Sequence, residues 1–367
     1  MTCLIRLNPL LFINFEFELA NMKAKYLVLA GCMMLGVQLV LAQERKDKTA
    51  VTYEELYDEP YSINKLFVGF QPFYGELFAT NMNAGFGAEV SYYHKEKFDL
   101  KGHFRKTYSS SFYDFNRDIA SKNSNVDNRS EIFNYFEIGG TYHFKDFESA
   151  SKTKMVLFKN AYKGNKWASR VPLHAEVPCK LRKIYGARLG AIVWNSTTDI
   201  SRTLLQQNLT NADIVNAENI GLPLSYVDPV TFKTRDFKVF SNIYATGLYV
   251  GGSMTWIRNV AVSFDKYEEG IDDGIMTLFF DILYSPSLKM EDIKYNNSVY
   301  SISPIKMSPV GFRLGIDGKF NRQLSWGYGG EVGYRPSIQG QGVFAMFKIS
   351  FPIYATNLDY KVESFGK

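Results

Sequence analysis

Residues 310–320 read Val-Gly-Phe-Arg-Leu-Gly-Ile-Asp-Gly-Lys-Phe, and the architecture follows from their order. Apart from Gly318, every second residue is large and apolar, and the residues between are glycine or charged. Side chains along a β-strand point alternately to its two faces, so this order predicts a strand with one apolar and one polar face. The polar face carries Gly311, Arg313, Gly315, Asp317 and Lys319.

The same alternation recurs between residues 64 and 352. The alternating runs span about 10–14 residues, longer than the usual 5–6 of globular strands and suited to a tilted strand that crosses a bilayer. Because membrane barrels usually have an even number of strands, we predict 12, with 10 or 14 as alternatives. The candidate strands are 64–78, 82–94, 97–108, 131–145, 153–160, 170–181, 183–195, 235–246, 248–264, 274–286, 308–320, 324–335 and 341–352.

Glycine and aromatic residues indicate which face of these strands lies inside. On the polar faces, glycine stands beside Arg, Lys, Asp and Glu, as expected in a crowded lumen where long charged side chains need small neighbours. Tyr and Trp near strand ends, such as Trp194 and Trp326, fit the aromatic girdles of a membrane barrel. Since strands can span lipid only as a closed barrel, the fold class predicted is all-β, a transmembrane antiparallel up-and-down β-barrel with long outer loops. The predicted outer loops are Ser109–Arg129, Asn195–Thr234 and Ser287–Ser308.

The first 42 residues resemble a secretory signal peptide. Met22 begins a short basic segment, an apolar run follows to Ala42, and the sequence then turns polar, so we predict a true start at Met22 and cleavage after Ala42. A membrane anchor and a lipoprotein acylated at Cys32 are the alternatives. The further divisions predicted are a periplasmic N-terminal tail or plug at 43–63, the barrel at 64–352 and a C-terminal tail at 353–367.

Composition excludes several classes of protein. The chain has 367 residues, of which 46% are hydrophobic and 22% charged, and this excludes a disordered chain. Removal of residues 1–42 would leave Cys179 as the only thiol, so no intramolecular disulfide is expected. The net charge of +5 is weak, and no basic cluster with interleaved aromatic residues suggests nucleic acid. No motif implies a bound cofactor or metal.

Three features together carry a resemblance to a known class. They are the signal that ends in Ala42-Gln43, the strand at 310–320, and the closing hairpin with Glu331-Val332-Gly333-Tyr334-Arg335-Pro336 and Gly342-Val343-Phe344. With these features the chain resembles the outer-membrane β-barrel proteins of the Bacteroidota type. The resemblance implies an outer-membrane location and no particular activity. Such barrels commonly end on an aromatic residue of the last strand, whereas here residues 352–367 continue past Phe351.

Charged residues on the polar faces form a predicted lumen charge set. Rings of fixed charge in a lumen can select permeating ions, but charges of both signs on the same strands are expected to pair and to close a narrow barrel. We therefore favour a plugged or narrow lumen over an open pore. The set comprises Glu89, Asp99, Lys101, Arg105, Glu137, Arg188, Asp281, Arg313, Asp317, Lys319, Glu331, Arg335 and Lys348.

Three histidines on the polar faces, His103, His143 and His174, are the only candidates for catalysis. Some outer-membrane barrels hydrolyse or transfer lipid acyl chains with a histidine, a serine and an acidic or amide partner, and Ser91 lies nearby in sequence. The simpler interpretation is that these histidines fill a polar lumen.

The leading functional hypothesis is a non-enzymatic integral outer-membrane barrel. It acts as a channel or transporter, or as a scaffold subunit of an envelope complex. Its partners would be outer-membrane lipid or lipopolysaccharide and other envelope proteins, with no nucleic acid. The alternatives are a barrel lipid hydrolase or acyltransferase with a lumen-side histidine, and a secreted soluble β-sandwich.

Overall fold

The computed structural model describes residues 51–79, 82–94, 97–108, 125–157, 173–228, 230–265, 267–321 and 326–356. The predicted signal peptide lies outside these residues. None of the helices in the described part is long and apolar enough to cross a membrane.

The described residues are mostly strands, with one α-helix, α1 (Ile200–Gln206), and one 3-10 turn at Asn211–Asp213. The strands, in chain order, are β1 (Tyr53–Asp58), β2 (Leu66–Phe78), β3 (Met82–His94), β4 (Phe98–Thr107), β5 (Asn134–Leu157), β6 (Leu173–Asp199), β7 (Ser225–Val227), β8 (Thr234–Asp236), β9 (Phe240–Ile257), β10 (Val260–Phe264), β11 (Gly270–Asp272), β12 (Gly274–Met290), β13 (Ile293–Tyr295), β14 (Ser298–Tyr300), β15 (Met307–Ser308), β16 (Val310–Phe320), β17 (Gly327–Tyr334), β18 (Ser337–Ile338) and β19 (Val343–Thr356).

Ten of these strands close into one antiparallel barrel. Their order around the wall is β2, β3, β4, β5, β6, β9, β12, β16, β17 and β19, so each pairs with the next barrel strand along the chain. The circle closes where β19 pairs with β2, from Phe344 opposite Phe78 to Thr356 opposite Leu66. Because every strand of a closed barrel has two neighbours, no edge of the wall is left unpaired.

The prediction of 12 strands is wrong and the alternative of 10 is confirmed, because three pairs among the 13 candidate strands are single long strands. Candidates 131–145 and 153–160 both overlap β5, candidates 170–181 and 183–195 both overlap β6, and candidates 235–246 and 248–264 both overlap β9. β5 and β6 are 24 and 27 residues long. A bulge between His143 and Lys145 shifts the alternation of β5 by one residue, so the sequence pattern breaks although the strand continues.

The final strand also extends further than predicted. β19 ends at Thr356, whereas the sequence predicts an end at 352 and a tail over 353–367. Two bulges in its pairing with β2, at Ile349/Phe351 and Pro352/Tyr354, disturb the alternation there. Residues 357–367 lie outside the described residues.

The outward face of the wall is apolar. On β12 the side chains of Met276, Leu278, Phe280, Ile282 and Tyr284 are all exposed, and every other barrel strand also exposes large apolar side chains. Between them, Thr277 and Asp281 are buried in the interior. The wall therefore has the polarity expected of a barrel surrounded by hydrocarbon.

The two ends of the barrel differ. Three long connections, 108–133, 200–239 and 291–309, leave the wall at one end, which we call the loop end. We call residues 200–239 and 291–309 the loop cap, because their apolar residues form one buried cluster with side chains of the barrel mouth. The cluster includes Ile200, Leu204, Ile214, Leu222, Phe237, Ile293, Ile305, Trp194 and Phe344.

At the other end, which we call the hairpin end, β5 and β6 project past the neighbouring strands. β6 pairs with β9 only from Arg182 onward, so residues 173–181 pair with β5 alone. Pro178 lies in this projecting part, where a missing backbone donor is tolerated. A three-stranded sheet of β1, β10 and β11 lies beside the hairpin, and the hydroxyl of Thr153 donates to Asp272 at 2.6 Å. Part of the predicted tail at 43–63 is thus strand β1.

Candidate functional site

The centre of the lumen is organised around Arg313 of β16. Its guanidinium donates to Glu137 of β5 at 2.6 Å and 2.9 Å, to Asp281 of β12 at 2.9 Å and to Glu331 of β17 at 3.3 Å. The same group also donates to the Tyr135 hydroxyl at 3.1 Å. One buried cation therefore ties four strands of the wall together.

Two further arginines complete what we call the central ion-pair cluster. Arg105 donates to Glu331 at 2.9 Å, and Arg188 donates to Asp281 at 2.9 Å. Three arginines then face three carboxylates, so the formal charge of the cluster is zero (+3 − 3). All six residues belong to the predicted lumen charge set. Burial of such charges is tolerated only when they are paired, which this arrangement achieves. The cluster is Arg105, Glu137, Arg188, Asp281, Arg313 and Glu331.

Aromatic rings pack beside these guanidinium groups. The Arg188 guanidinium carbon lies 4.1 Å from the ring centre of Phe279, and that of Arg313 lies 4.6 Å from the ring centre of Tyr249. Tyr249 fits because Gly139 and Gly190 have no side chain: a Cβ at either position would overlap its ring or hydroxyl. These two glycines make space inside the lumen.

A second group of charges lies nearer the hairpin end, and we call it the hairpin-side cluster: Glu89, Lys101, Asp317 and Lys348. Lys348 contacts Glu89 at 2.5 Å and Asp317 at 3.1 Å, while Lys101 lies 3.9 Å from Asp317. Its charges also sum to zero (+2 − 2). Close by, the ammonium of Lys319 donates to the Ser91 hydroxyl at 2.5 Å and lies 4.3 Å from the ring centre of Phe67.

Towards the loop end, Arg335 forms a separate buried pair with Glu76, with contacts of 2.7 Å and 3.1 Å. Glu76 is absent from the predicted charge set. A bulge in β2 between Gln71 and Tyr74 shifts the alternation by one residue, so Glu76 faces inward where a strict period of two would place it outward. The pair is surrounded by rings within 6.0 Å of the guanidinium carbon, those of Phe78, Phe133, Tyr135, Trp194 and Phe344.

Apolar clusters close the lumen on both sides of these charges. At the hairpin end Phe67, Tyr93, Ile184, Ile257 and Ile275 pack together. At the loop end the mouth is filled by the cluster shared with the loop cap. The cavity beside the central ion-pair cluster has a volume of about 20 Å³, which is room for about one water molecule. The lumen around the central ion-pair cluster is therefore closely packed.

The structure does not bring the three candidate histidines together. His143 bonds to Asp99 at 3.0 Å, and the Thr141 hydroxyl donates to the same carboxylate at 3.1 Å. His103 is paired across the strands with Glu137, six positions along β5 from His143, and its Nδ1 lies 3.8 Å from Glu89. The prediction that His174 faces the lumen is wrong. It is exposed on the projecting hairpin, because β6 runs past the end of the barrel.

The loop cap carries two carboxylates that are bound by their own turns. The backbone and hydroxyl of Thr210 donate to Asp213 and hold its pKa below the usual value. Likewise the backbone N–H of Val230, with Thr231, lowers the pKa of Asp228. Asp228 also pairs with Arg235 of β8 at 3.0 Å, so this carboxylate connects the two sides of the β7–β8 hairpin.

Within the described part of the chain, no group of three or more His, Cys, Asp or Glu residues has the arrangement of a metal site. Cys179 is a buried free thiol on the projecting hairpin.

No protein-family model and no curated protein matches this sequence. Solved structures give three similarities. The TodX deltaS2S3 mutant, a monoaromatic hydrocarbon channel, is 9% identical with a TM-score of 0.21, over 81% of this chain and 91% of that one. The monoaromatic hydrocarbon channel CymD is 8% identical with a TM-score of 0.21, over 82% and 93%. A loop L8 deletion mutant of OmpT, an outer membrane protein of Vibrio cholerae, is 10% identical with a TM-score of 0.18, over 79% and 99%. With values this low, the fold assignment rests on the strand pairing of the chain itself.

Proposed function

We propose that this chain is an integral outer-membrane barrel, of the Bacteroidota type, that serves as a non-enzymatic scaffold subunit of an envelope complex. The apolar outward face of the wall supports the membrane location, and the signal-like sequence of residues 22–42 supports export. The loop end would face the outside and the hairpin end the periplasm, because outer-membrane barrels carry their long loops outside.

The packed lumen is the observation that favours a scaffold over a channel. Arg313 is 1% exposed and contacts three carboxylates, so a solute would have to break several buried ion pairs in order to pass. Breaking one buried pair typically costs about 3–5 kcal/mol. Apolar clusters on both sides of the charges add further barriers.

Both ends expose apolar side chains on which a partner could bind. At the hairpin end, β1 exposes Tyr53 and Leu56. At the loop end, the tip of the β7–β8 hairpin exposes 83% of Val230 and 82% of Phe232. Phe232 has a φ of 53°, a left-handed conformation that a phenylalanine rarely adopts. Strained residues often cluster at functional positions. An exposed aromatic side chain on a hydrogen-bonded turn offers contact area to a partner, so this tip suits a protein contact.

Conductance in planar bilayers tests the sealed lumen. We expect the purified, folded barrel to carry no steady current beyond that of the bare bilayer. A stable ohmic conductance in most insertions would contradict the scaffold proposal and favour a channel.

Site-specific photocrosslinking in intact cells tests the scaffold role directly. A photoreactive residue at Phe232 should give one reproducible protein adduct, whereas the same residue at lipid-facing Leu314 should give none. The absence of any protein adduct at Phe232 and along β1, together with a silent pore, would also reject the scaffold.

Three further measurements address the other two hypotheses. A secreted soluble sandwich would be released by alkaline carbonate without detergent and would not change electrophoretic mobility on heating, and we expect the opposite. A lipid-modifying enzyme would lose its activity in His103→Ala or His143→Ala at normal barrel yield. We expect the lipid composition of cells with either variant to equal that of the wild type.

A further inference from the structure

A groove of about 390 Å³ lies in the wall at the hairpin end. Trp256 of β9, Met276 of β12 and Tyr328 of β17 line it from the outward face of the barrel. These three residues belong to one row across the wall, because Trp256 pairs with Met276, Met276 with Gly318 and Gly318 with Tyr328. Gly318 has no side chain, and the Tyr328 ring occupies the space that a Cβ would need. Gly318 therefore makes room for the Tyr328 ring beside the groove.

The groove lies where the apolar face of the barrel begins. From Met276 the exposed apolar residues of β12 continue to Tyr284, a distance of about 26 Å along the strand at about 3.3 Å per residue. On the other side of Met276 the chain turns into the polar connection with Asp272 and Asp273. Trp and Tyr favour this boundary between hydrocarbon and headgroups.

Arg258 supplies an unused donor at the polar edge of the groove. Its guanidinium lies 3.5 Å from Asp272, a loose contact, and Asp272 also accepts the shorter bond from Thr153. The Nε of Arg258 is buried and has no hydrogen-bond acceptor among the described residues. Lys319 also lines the groove, but its ammonium is held in the lumen by Ser91, so Arg258 is the cation at the outward edge.

We propose that this groove is a specific site for one phospholipid of the periplasmic leaflet. The phosphodiester binds at Arg258, and an acyl chain lies along Trp256, Met276 and Tyr328. A guanidinium suits phosphate because it donates two parallel hydrogen bonds. The apolar row would contact the acyl chain of a phospholipid, whereas a free anion would make no contact with it. This site rests on the proposed outer-membrane location and orientation of the barrel and is independent of the scaffold role.

Native mass spectrometry of the barrel extracted in mild detergent tests the site. The wild type should retain one phospholipid. Arg258→Ala should lower the retained fraction about tenfold, the effect of removing one charge-assisted contact. Met276→Trp should also lower it, because the larger ring fills the groove. Arg235→Ala, which removes an exposed arginine of the loop cap, should match the wild type. Heat-modifiable mobility of each variant verifies that it is folded.

The proposal is overturned if the folded wild type retains no phospholipid, or if Arg258→Ala and Met276→Trp both retain as much as Arg235→Ala. It is also overturned if inorganic phosphate alone binds the delipidated barrel with the same dependence on Arg258, because the site would then take a free anion. If Arg258→Ala does not fold, the retained phospholipid of Met276→Trp is compared with that of the wild type, and equal retention overturns the proposal.

Discussion

Arg313 and Leu314 are neighbours on β16, yet the barrel gives their side chains opposite surroundings. Arg313 is 1% exposed among three carboxylates, whereas Leu314 is 45% exposed on the outer wall. A protein surrounded by water would have the reverse distribution. The lumen face depends on the pairing of charges, and the outer face depends on contact with hydrocarbon. The following expectations test this difference, in order of decreasing effect.

The largest effect should come from the lumen face. Arg313→Met removes the shared partner of Glu137, Asp281 and Glu331 and leaves carboxylates buried without full pairing. We expect the free energy of unfolding in detergent, measured by urea titration, to fall by about 3–5 kcal/mol. Arg235→Met on the loop-cap surface is the control and should change it by less than about 0.5 kcal/mol. An Arg313→Met barrel as stable as the wild type would show that the pairing contributes little.

The same charge introduced on the outer face should cost somewhat less. Leu314→Arg places a guanidinium against lipid, and we expect a loss of about 2–4 kcal/mol in vesicles. Leu205→Arg makes the identical change on α1, where the side chain is 80% exposed, and should be nearly neutral. Equal effects of the two substitutions would mean that Leu314 does not contact hydrocarbon.

A smaller and local effect is expected in the loop cap. Leu204, adjacent to Leu205 on α1, is 2% exposed within the apolar cluster. Leu204→Ala should destabilise the cap by about 2 kcal/mol, the low end for such a truncation because the cap can relax into the space. Hydrogen exchange should accelerate in residues 200–239 and stay unchanged in the barrel strands. Leu205→Ala is the matched control, and faster exchange in that variant would contradict the assignment.

The smallest effect is a pH dependence at the tip of the β7–β8 hairpin. Because the folded pKa of Asp228 lies below its unfolded value, its contribution is complete above pH 4 and is lost as pH falls through the lowered pKa. Amide exchange of Val230 and Thr231, corrected for intrinsic rates, should accelerate below pH 4. Asp228→Asn keeps an oxygen acceptor and should remove the pH dependence. An unchanged profile in that variant would assign the effect to another group.

The sequence predicted the barrel well because alternation is a local property of each strand. The inward position of Arg313 and the outward position of Leu314 follow from the two-residue period of a strand alone. Glu76 was missed because the bulge at Gln71/Tyr74 shifts the alternation without ending β2, and the bulge at His143/Lys145 does the same in β5. β6 and β9 pair with each other without a register shift, so bulges do not account for their division into two candidates each. His174 was misplaced because the sequence does not show where β6 leaves the barrel.

The loop cap could be predicted only in outline. The sequence predicts an outer loop at 195–234, but the contacts of Leu204 of α1 with the barrel mouth involve residues far apart in sequence. The partners of each lumen charge depend in the same way on the register of strands across the barrel. Composition indicates that the charges must pair, and only the three-dimensional arrangement says with which partner.

The closure of the barrel by β19 and β2 has a consequence for the order of assembly. The β5–β6 hairpin pairs residues close in sequence, whereas Phe78 and Phe344, paired at the seam, are 266 positions apart. Seam formation must therefore overcome the largest loop-closure entropy and is expected to come last. Glu76 and Glu89 on one side meet Arg335 and Lys348 on the other only at this step. The ion pairs across the seam therefore form only when the barrel closes. A chain that lacks its last strand would leave Glu76 and Glu89 without these partners.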